Sequence, residues 1–221
     1  MKARMYTMML RILCSLRKRP KVFCIGRNKT GTTSLEKALR DLGYIVGDQA
    51  TAELLIHDYA QRDFRPIVEY CRTAEAFQDI PFSLPYTYQI VDYAFPGSKF
   101  ILSVRDNEDE WYRSMIRFQQ KRLGIQGRIT KEDLLKDPYR YEGFIWEVNR
   151  ILYDTPEDDP YSERVVKEHY LRHNEDVTKY FEVRNDLLVV NLKETGSYHR
   201  FCAFLEVEPV YAEFPWLNRS R

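Results

Sequence analysis

Over the first 130 residues short apolar runs alternate with longer stretches of helical periodicity, the signature of a parallel sheet covered by helices. Val22-Phe-Cys-Ile25 is the first such run. Leu35, Ala38, Leu39 and Leu42 then share one face of a helix predicted over 33–42, and Gly43 stands where a C-terminal cap belongs. Residues 44–46 predict a short second strand, 51–60 and 65–72 predict helices, and 77–79 runs into a turn at Pro81. The clearest interior strand is 99–104, entered through the turn Phe95-Pro-Gly97 and followed by Arg105. From 108 onward the pattern is mostly helical. One helix is predicted over 111–122, and Tyr141, Phe144, Ile145, Val148, Ile151 and Leu152 mark another. A third covers 161–181 beyond an acidic, proline-bearing connection at 154–160. A strand at 187–192 and a helix at 197–205 close the pattern.

Composition adds limits to this picture. With 221 residues and 44% hydrophobic positions, the chain can bury a substantial core, and a single domain over 21–221 is expected behind a basic arm at 1–20. The net charge of +1 gives no reason to expect a nucleic-acid partner. Charge is uneven, however: no Asp or Glu precedes Glu36, while residues 1–35 carry nine Lys or Arg. The apolar stretch 5–10 is interrupted by Arg11, is too short to span a bilayer and lacks a small-residue cleavage site. The arm is therefore expected to be disordered or loosely docked, with weak membrane-surface contact as the alternative, and the chain to be cytoplasmic. Cys14, Cys24, Cys71 and Cys202 have neither metal-type spacing nor the density of a disulfide scaffold, which fits a reducing compartment.

The chemistry concentrates where the first apolar run enters a glycine turn. Gly26 and Gly31 allow the backbone to approach an anion, and the helix opening near Thr32 points unpaired N–H groups at it. Gly26-x4-Gly31-Thr32-Thr33 fits the G-x-x-x-x-G-K-[ST] phosphate loop except that threonine replaces the lysine, and Lys29 lies inside the loop. That displacement argues against ordinary ATP chemistry. Lys29-Thr-Gly-Thr-Thr33 resembles the 5′-phosphosulfate loop of the sulfotransferases, which take sulfonate from 3′-phosphoadenosine 5′-phosphosulfate (PAPS). The resemblance extends over most of the chain from Lys21. It implies a three-layer α/β/α fold, P-loop NTPase-like, with a central, mostly parallel sheet and a helix-rich C-terminal half. It also implies PAPS as donor, PAP as product, and no obligatory metal.

Three elements follow from the resemblance. Lys29 assists the departing nucleotide phosphate, and Thr30, Gly31, Thr32, Thr33 and Ser34 hold the 5′-phosphate; otherwise Thr32, Thr33 and Ser34 are simply helix caps. The stretch from Phe100 to Ser114 resembles the 3′-phosphate segment, with Arg105 at a strand end and Ser114 on the next helix. Arginine offers the forked donors that a terminal phosphate requires. The interval between the two is nine residues where the family leads us to expect eight, which weakens the serine; alternatively Arg105 pairs with the acids at 106–110. Asp79-Ile-Pro81 occupies a place comparable to the family's base, so Asp79 is the base expected for the acceptor hydroxyl, with a turn-capping Asp as the plain alternative and His57 and Asp48 as substitutes.

The function expected is sulfonate transfer to an acceptor hydroxyl, or an amine, on a small molecule or glycan. The rivals are a magnesium-dependent kinase or triphosphatase and a nucleotide-binding protein without turnover. His169 and His173 stand four apart on a helix but have no third ligand at a recognisable spacing, so a structural pair is expected and no metal site is assigned. The C-terminal pattern through Phe204 and Phe214-Pro-Trp-Leu-Asn218 is expected to pack the last helix and tail onto the sheet. Adenine recognition, acceptor and oligomeric state are not legible.

Overall fold

The computed structural model describes residues 2–215, with side chains from Met5 onward. The chain forms two compact units: the residues up to Val104 together with those from Val177, and Arg105–Asp176.

The first unit is built on four parallel strands, β1 (Val22–Cys24), β2 (Ala76–Gln78), β3 (Lys99–Val104) and β4 (Leu187–Asn191), in the order β2-β1-β3-β4. The alternation of side chains along a strand sorts them onto two faces. Phe23 stands level with Phe77 on one neighbour and Phe100 on the other, with ring centroids 5.3 and 5.5 Å apart, so one face carries an aromatic row across three strands. Val22, Cys24, Ile101 and Val190 point the other way. They pack against Leu35, Ala38 and Leu39 of α2 (Thr32–Asp41) and Tyr198, Phe201 and Leu205 of α11 (Ser197–Leu205). Removing the fully buried Phe23 ring would cost about 3–5 kcal/mol. Phe214 joins this core against Tyr198 and Phe201; Trp216 to Asn218 lie outside the described residues.

The basic segment expected as a loose arm is instead a helix, α1 (Lys2–Arg17), held to the body by ion pairs from Arg11 to Glu69 and from Arg17 to Glu75. Residues 44–46 do not form a strand: Val46 makes one isolated parallel bridge to Ala76, because the chain leaves the sheet at once for the cap Asp48. The helix expected at 51–60 is two, α3 (Gln49–Leu54) and α4 (Ile56–Ala60), and α5 (Arg65–Tyr70) follows. A short α6 (Thr87–Ala94) precedes the Phe95-Pro-Gly97 turn. All four cysteines are free thiols.

The second unit is helical: α7 (Glu108–Leu123), α8 (Lys131–Leu135), α9 (Phe144–Leu152) and most of α10 (Glu163–Tyr180). Its core gathers Trp111, Met115, Leu134, Tyr161 and Tyr170, with Trp111 stacked on Tyr170 at 4.3 Å. α8 escapes a periodicity search because it is barely more than one turn, fixed by a capping box between Thr130 and Asp133. Among the described residues no helix is long and apolar enough to cross a membrane, and no three His, Cys, Asp or Glu side chains are grouped to hold a metal ion.

Candidate active site

In the first unit the carboxyl ends of the strands converge on the glycine turn, as open parallel sheets require of a ligand site. β1 runs into Ile25, whose amide bonds Ile101 O at 2.8 Å, and then into the loop. Gly26 lies against the backbone of β3; a Cβ there would overlap both the hydroxyl and the carbonyl oxygen of Ser103. Thr30 is buried and bridges the two strands: its Oγ1 donates to Arg27 O at 2.5 Å and lies 2.6 Å from Ser103 Oγ. Ser103 therefore belongs to the loop's support, and sequence reasoning missed it. The signal was there, since Ser103 is the one polar position inside the apolar run 100–104.

Lys29 and Gly31 both take left-handed backbone, at φ 66° and 107°. For a lysine that conformation costs roughly 1 kcal/mol, a strain that the Thr30 anchor offsets. Left-handed residues within such a turn aim successive amides to one side, a concavity suited to anions. α2 then begins with Gly31 as its N-cap and no side-chain capping bond. Ser34 and Leu35 donate to Gly31 O, whereas the amides of Thr32 and Thr33 have no carbonyl within the helix to reach. Of the three hydroxyls in the first turn, that of Thr32 turns away from the helix amides and donates to Asp79. Thr33 is exposed, and Thr32 and Ser34 are buried. A Cβ on Gly31 would come within 2.5 Å of Leu192 Cδ2, just past the end of β4.

β2 delivers Asp79, also left-handed at φ 58°. One carboxylate oxygen accepts the Ile80 amide at 2.9 Å and the other accepts the Thr32 hydroxyl at 3.3 Å. Asp79 and the first residue of the phosphate-loop helix are thereby in contact. Burial raises the Asp79 carboxyl to about 6, helped by the charge of Glu53 and opposed by the two hydrogen bonds and by Arg27. The side chain sits deep among protein atoms, yet part of the residue stays open to solvent. Beneath it Gln49 donates to Ile80 O at 3.0 Å and contacts Glu53, and Gln78 donates to Gln49 at 3.1 Å. No spacing in the sequence marks Gln49 or Glu53 for this task.

The two substitute bases fare differently. Asp48 is exposed and spends Oδ1 on Thr51, accepting its amide at 2.8 Å and its hydroxyl at 2.6 Å as the cap of α3. His57 is half-buried on α4.

In the second unit Arg105 opens the segment after β3. Its amide donates to the Tyr170 hydroxyl at 3.1 Å and its guanidinium to Glu110 at 3.3 Å, so the pairing with a neighbouring acid is what the side chain does here. Ser114 is buried on α7. On α10, His173 is buried, while the His169 ring packs edge-on against Tyr153 at 5.4 Å. Burial pushes the Cys24 thiol up, consistent with an inert core residue.

Residues 21–221 match the family described as a sulfotransferase domain. The chain belongs to that family. A crystal structure of a sulfotransferase from Alicyclobacillus acidocaldarius shares the fold, with a TM-score of 0.52 over 91% of this chain and 87% of that one at 19% identity. No curated protein matches the chain in sequence. For a member of a transferase family, the set of groups around the loop is coherent: open helix amides, exposed and buried hydroxyls and Lys29 suit a phosphate ester, and a carboxylate with a raised pKa stands beside them.

Proposed function

We propose that this chain transfers a sulfonate group from PAPS to an acceptor hydroxyl or, less readily, an amine, on a small molecule or glycan. The observation that carries the reading is the contact between Asp79 and Thr32, which sets a partly desolvated carboxylate against the opening turn of the phosphate-loop helix. The open amides at the start of α2, with Gly31 to Ser34, hold the donor's 5′-phosphate, while Thr30, whose amide and hydroxyl both go to Arg27 O, fixes the loop instead of meeting the phosphate; Arg105 and Ser114 take the 3′-phosphate. When bound, PAPS supplies the sulfonate and leaves as PAP. Lys29 places its positive charge where negative charge gathers on the departing phosphate. Asp79 takes the proton of the acceptor at a carboxylate oxygen, a role its raised pKa favours at neutral pH. No step in this scheme calls for a metal.

Threonine at position 32 weighs against a magnesium-dependent kinase or triphosphatase, which places a lysine there. Calorimetry with PAP, ATP and ADP, each with and without magnesium, separates the readings. PAP should bind most tightly and without magnesium, and Arg105→Ala should weaken it tenfold or more, on the order of a lost charged hydrogen bond. Preference for magnesium–ATP would overturn the proposal. Tight PAP binding without transfer to any hydroxyl or amine acceptor from PAPS would leave a nucleotide-binding protein instead.

A further inference from the structure

α1 has two opposite faces. Thr7, Leu10, Arg11 and Cys14 recur at helical spacing and are half-buried against the body. Arg11 pairs with Glu69 at 2.6 Å, and Arg17 pairs with Glu75 at 2.9 Å and donates to Gly43 O at 2.7 Å. These contacts fix the rotation of the helix. Met5, Met8, Met9, Ile12, Leu13 and Leu16 lie at positions i, i+3, i+4, i+7, i+8 and i+11, one continuous stripe on the side turned away from the body. They are exposed, Met5 by 69%, Met8 by 64% and Leu16 by 72%. Six large apolar side chains aligned on a docked helix are not the scattered exposure that any surface shows.

Charge says what covers the stripe. Lys2 and Arg4 precede it in the sequence, exposed Lys18 follows it, and no acidic residue occurs before Glu36. The acids that do meet α1, Glu69 and Glu75, are taken up by Arg11 and Arg17 on its inner side. An apolar stripe flanked by cations, with no anion of its own, is complementary to the headgroup boundary of an anionic bilayer. A protein partner or a second copy would gain from the apolar stripe but has no use for the one-signed flanks.

We propose that α1 is a membrane-surface helix: its outer face lies in the interface of an anionic bilayer while its inner face stays on the protein. The position of α1 has a consequence for catalysis. Glu75 sits just before β2 and Gly43 just past α2, both at the amino-terminal edge of the sheet, whereas the glycine turn and Asp79 stand at the carboxyl edge. A chain resting on α1 presents its site away from the lipid, open to an acceptor in solution.

The test uses the full chain and sucrose-loaded vesicles of phosphatidylcholine alone or with 30% phosphatidylserine, read by sedimentation at about 0.05 and 0.5 M salt. Binding is expected on the anionic vesicles and should fall severalfold at the higher salt, where the Debye length shrinks. Replacing Met8, Ile12 and Leu16 together by Ser touches no inward contact and should cut the partition roughly tenfold or more, while PAP affinity and the far-ultraviolet spectrum stay as in the wild type. No sedimentation with anionic vesicles, or equal sedimentation of the triple variant, overturns the proposal. So does a wild-type dimer in light scattering that the triple variant converts to monomer, since a second copy then covers the stripe.

Discussion

Two helices begin just beyond the carboxyl ends of neighbouring parallel strands, α2 after β1 and α7 after β3, and their first turns are electrostatic opposites. α2 opens on a glycine with no capping side chain and has no acid in its first turn. α7 opens on Asn107, whose side chain accepts the Glu110 amide at 2.9 Å, and carries Glu108, Asp109 and Glu110 in its first turn. Each such cap or acid stabilises a helix start by about 0.3–1 kcal/mol, so α7 satisfies its own dipole and amides. α2 forgoes that stabilisation, and its first amides stay without a capping side chain. A common place in the topology therefore does not make a common electrostatic environment: the first amides of α2 have neither a capping side chain nor an acid beside them, whereas those of α7 have both.

The comparison can be broken most forcefully at Lys29. Lys29→Ala should lower turnover by about a hundredfold to a thousandfold, the scale of one lost electrostatic contact to developing charge. Melting should hardly change, because the Thr30 and Gly26 contacts with Ser103 that fix the loop remain. Turnover within threefold of wild type removes Lys29 from its role.

Asp79→Asn should cost roughly a hundredfold or more in rate. Wild-type activity should rise with pH through about 6, as the carboxylate ionises, and the residual activity of the variant should lose that step. Stability moves the other way. The folded-state carboxyl lies above its ordinary value near 3.8, so Asp79 favours the fold below about pH 4, and that contribution is lost as pH rises through 6. With partial solvent access discounted, Asp79→Asn should be about 1–2 kcal/mol more stable than wild type at pH 8, the gain vanishing near pH 4. Urea melts at the two pH values check it, and a variant less stable at pH 8 would show that the carboxylate is not strained.

Thr33→Asp tests the openness of α2 directly by giving it the kind of acid that α7 already has. Thr33 is exposed, so the change should stabilise the helix by about 0.3–1 kcal/mol. PAP affinity in the same protein should fall tenfold or more, since the new carboxylate repels the phosphate. Calorimetry showing unchanged PAP affinity would place the anion elsewhere.

How far the sequence reveals this contrast depends on range. The glycine spacing, Lys29 and the apolar strands are local, and the parallel α/β architecture follows from them. Asp79 is legible only through the resemblance of Asp79-Ile-Pro81 to the family's base segment, and its contact with Thr32 spans 47 residues and depends on the order of the strands. Glu53 and Gln49 act on Asp79 only through α3 packing, and nothing in their spacing records that. The stretch 44–46 has strand composition, but the Asp48 cap claims the chain after a single bridge. α1 is legible as apolar and basic; that its inner side is the one bearing Arg11 and Cys14 comes from Glu69 and Glu75, more than fifty residues away.

The smallest effect sharpens the comparison most. Arg105 binds Glu110 with both side chains mostly buried, so recruiting Arg105 to a phosphate means giving up that pair. Removing the charge of Glu110 should cost the fold about 1 kcal/mol, the upper end of what pairs open to water contribute, because both side chains keep some access to solvent. It should also release Arg105 and reduce the acidity of α7's first turn. Glu110→Gln should therefore bind PAP roughly threefold to fivefold more tightly than wild type, the change expected from about that energy. In the double variant with Arg105→Ala the gain should disappear, because it acts through the guanidinium. A gain that persists without Arg105 would assign the effect to the field of α7 alone, and weaker binding by Glu110→Gln would mean that the pair holds Arg105 in its working position.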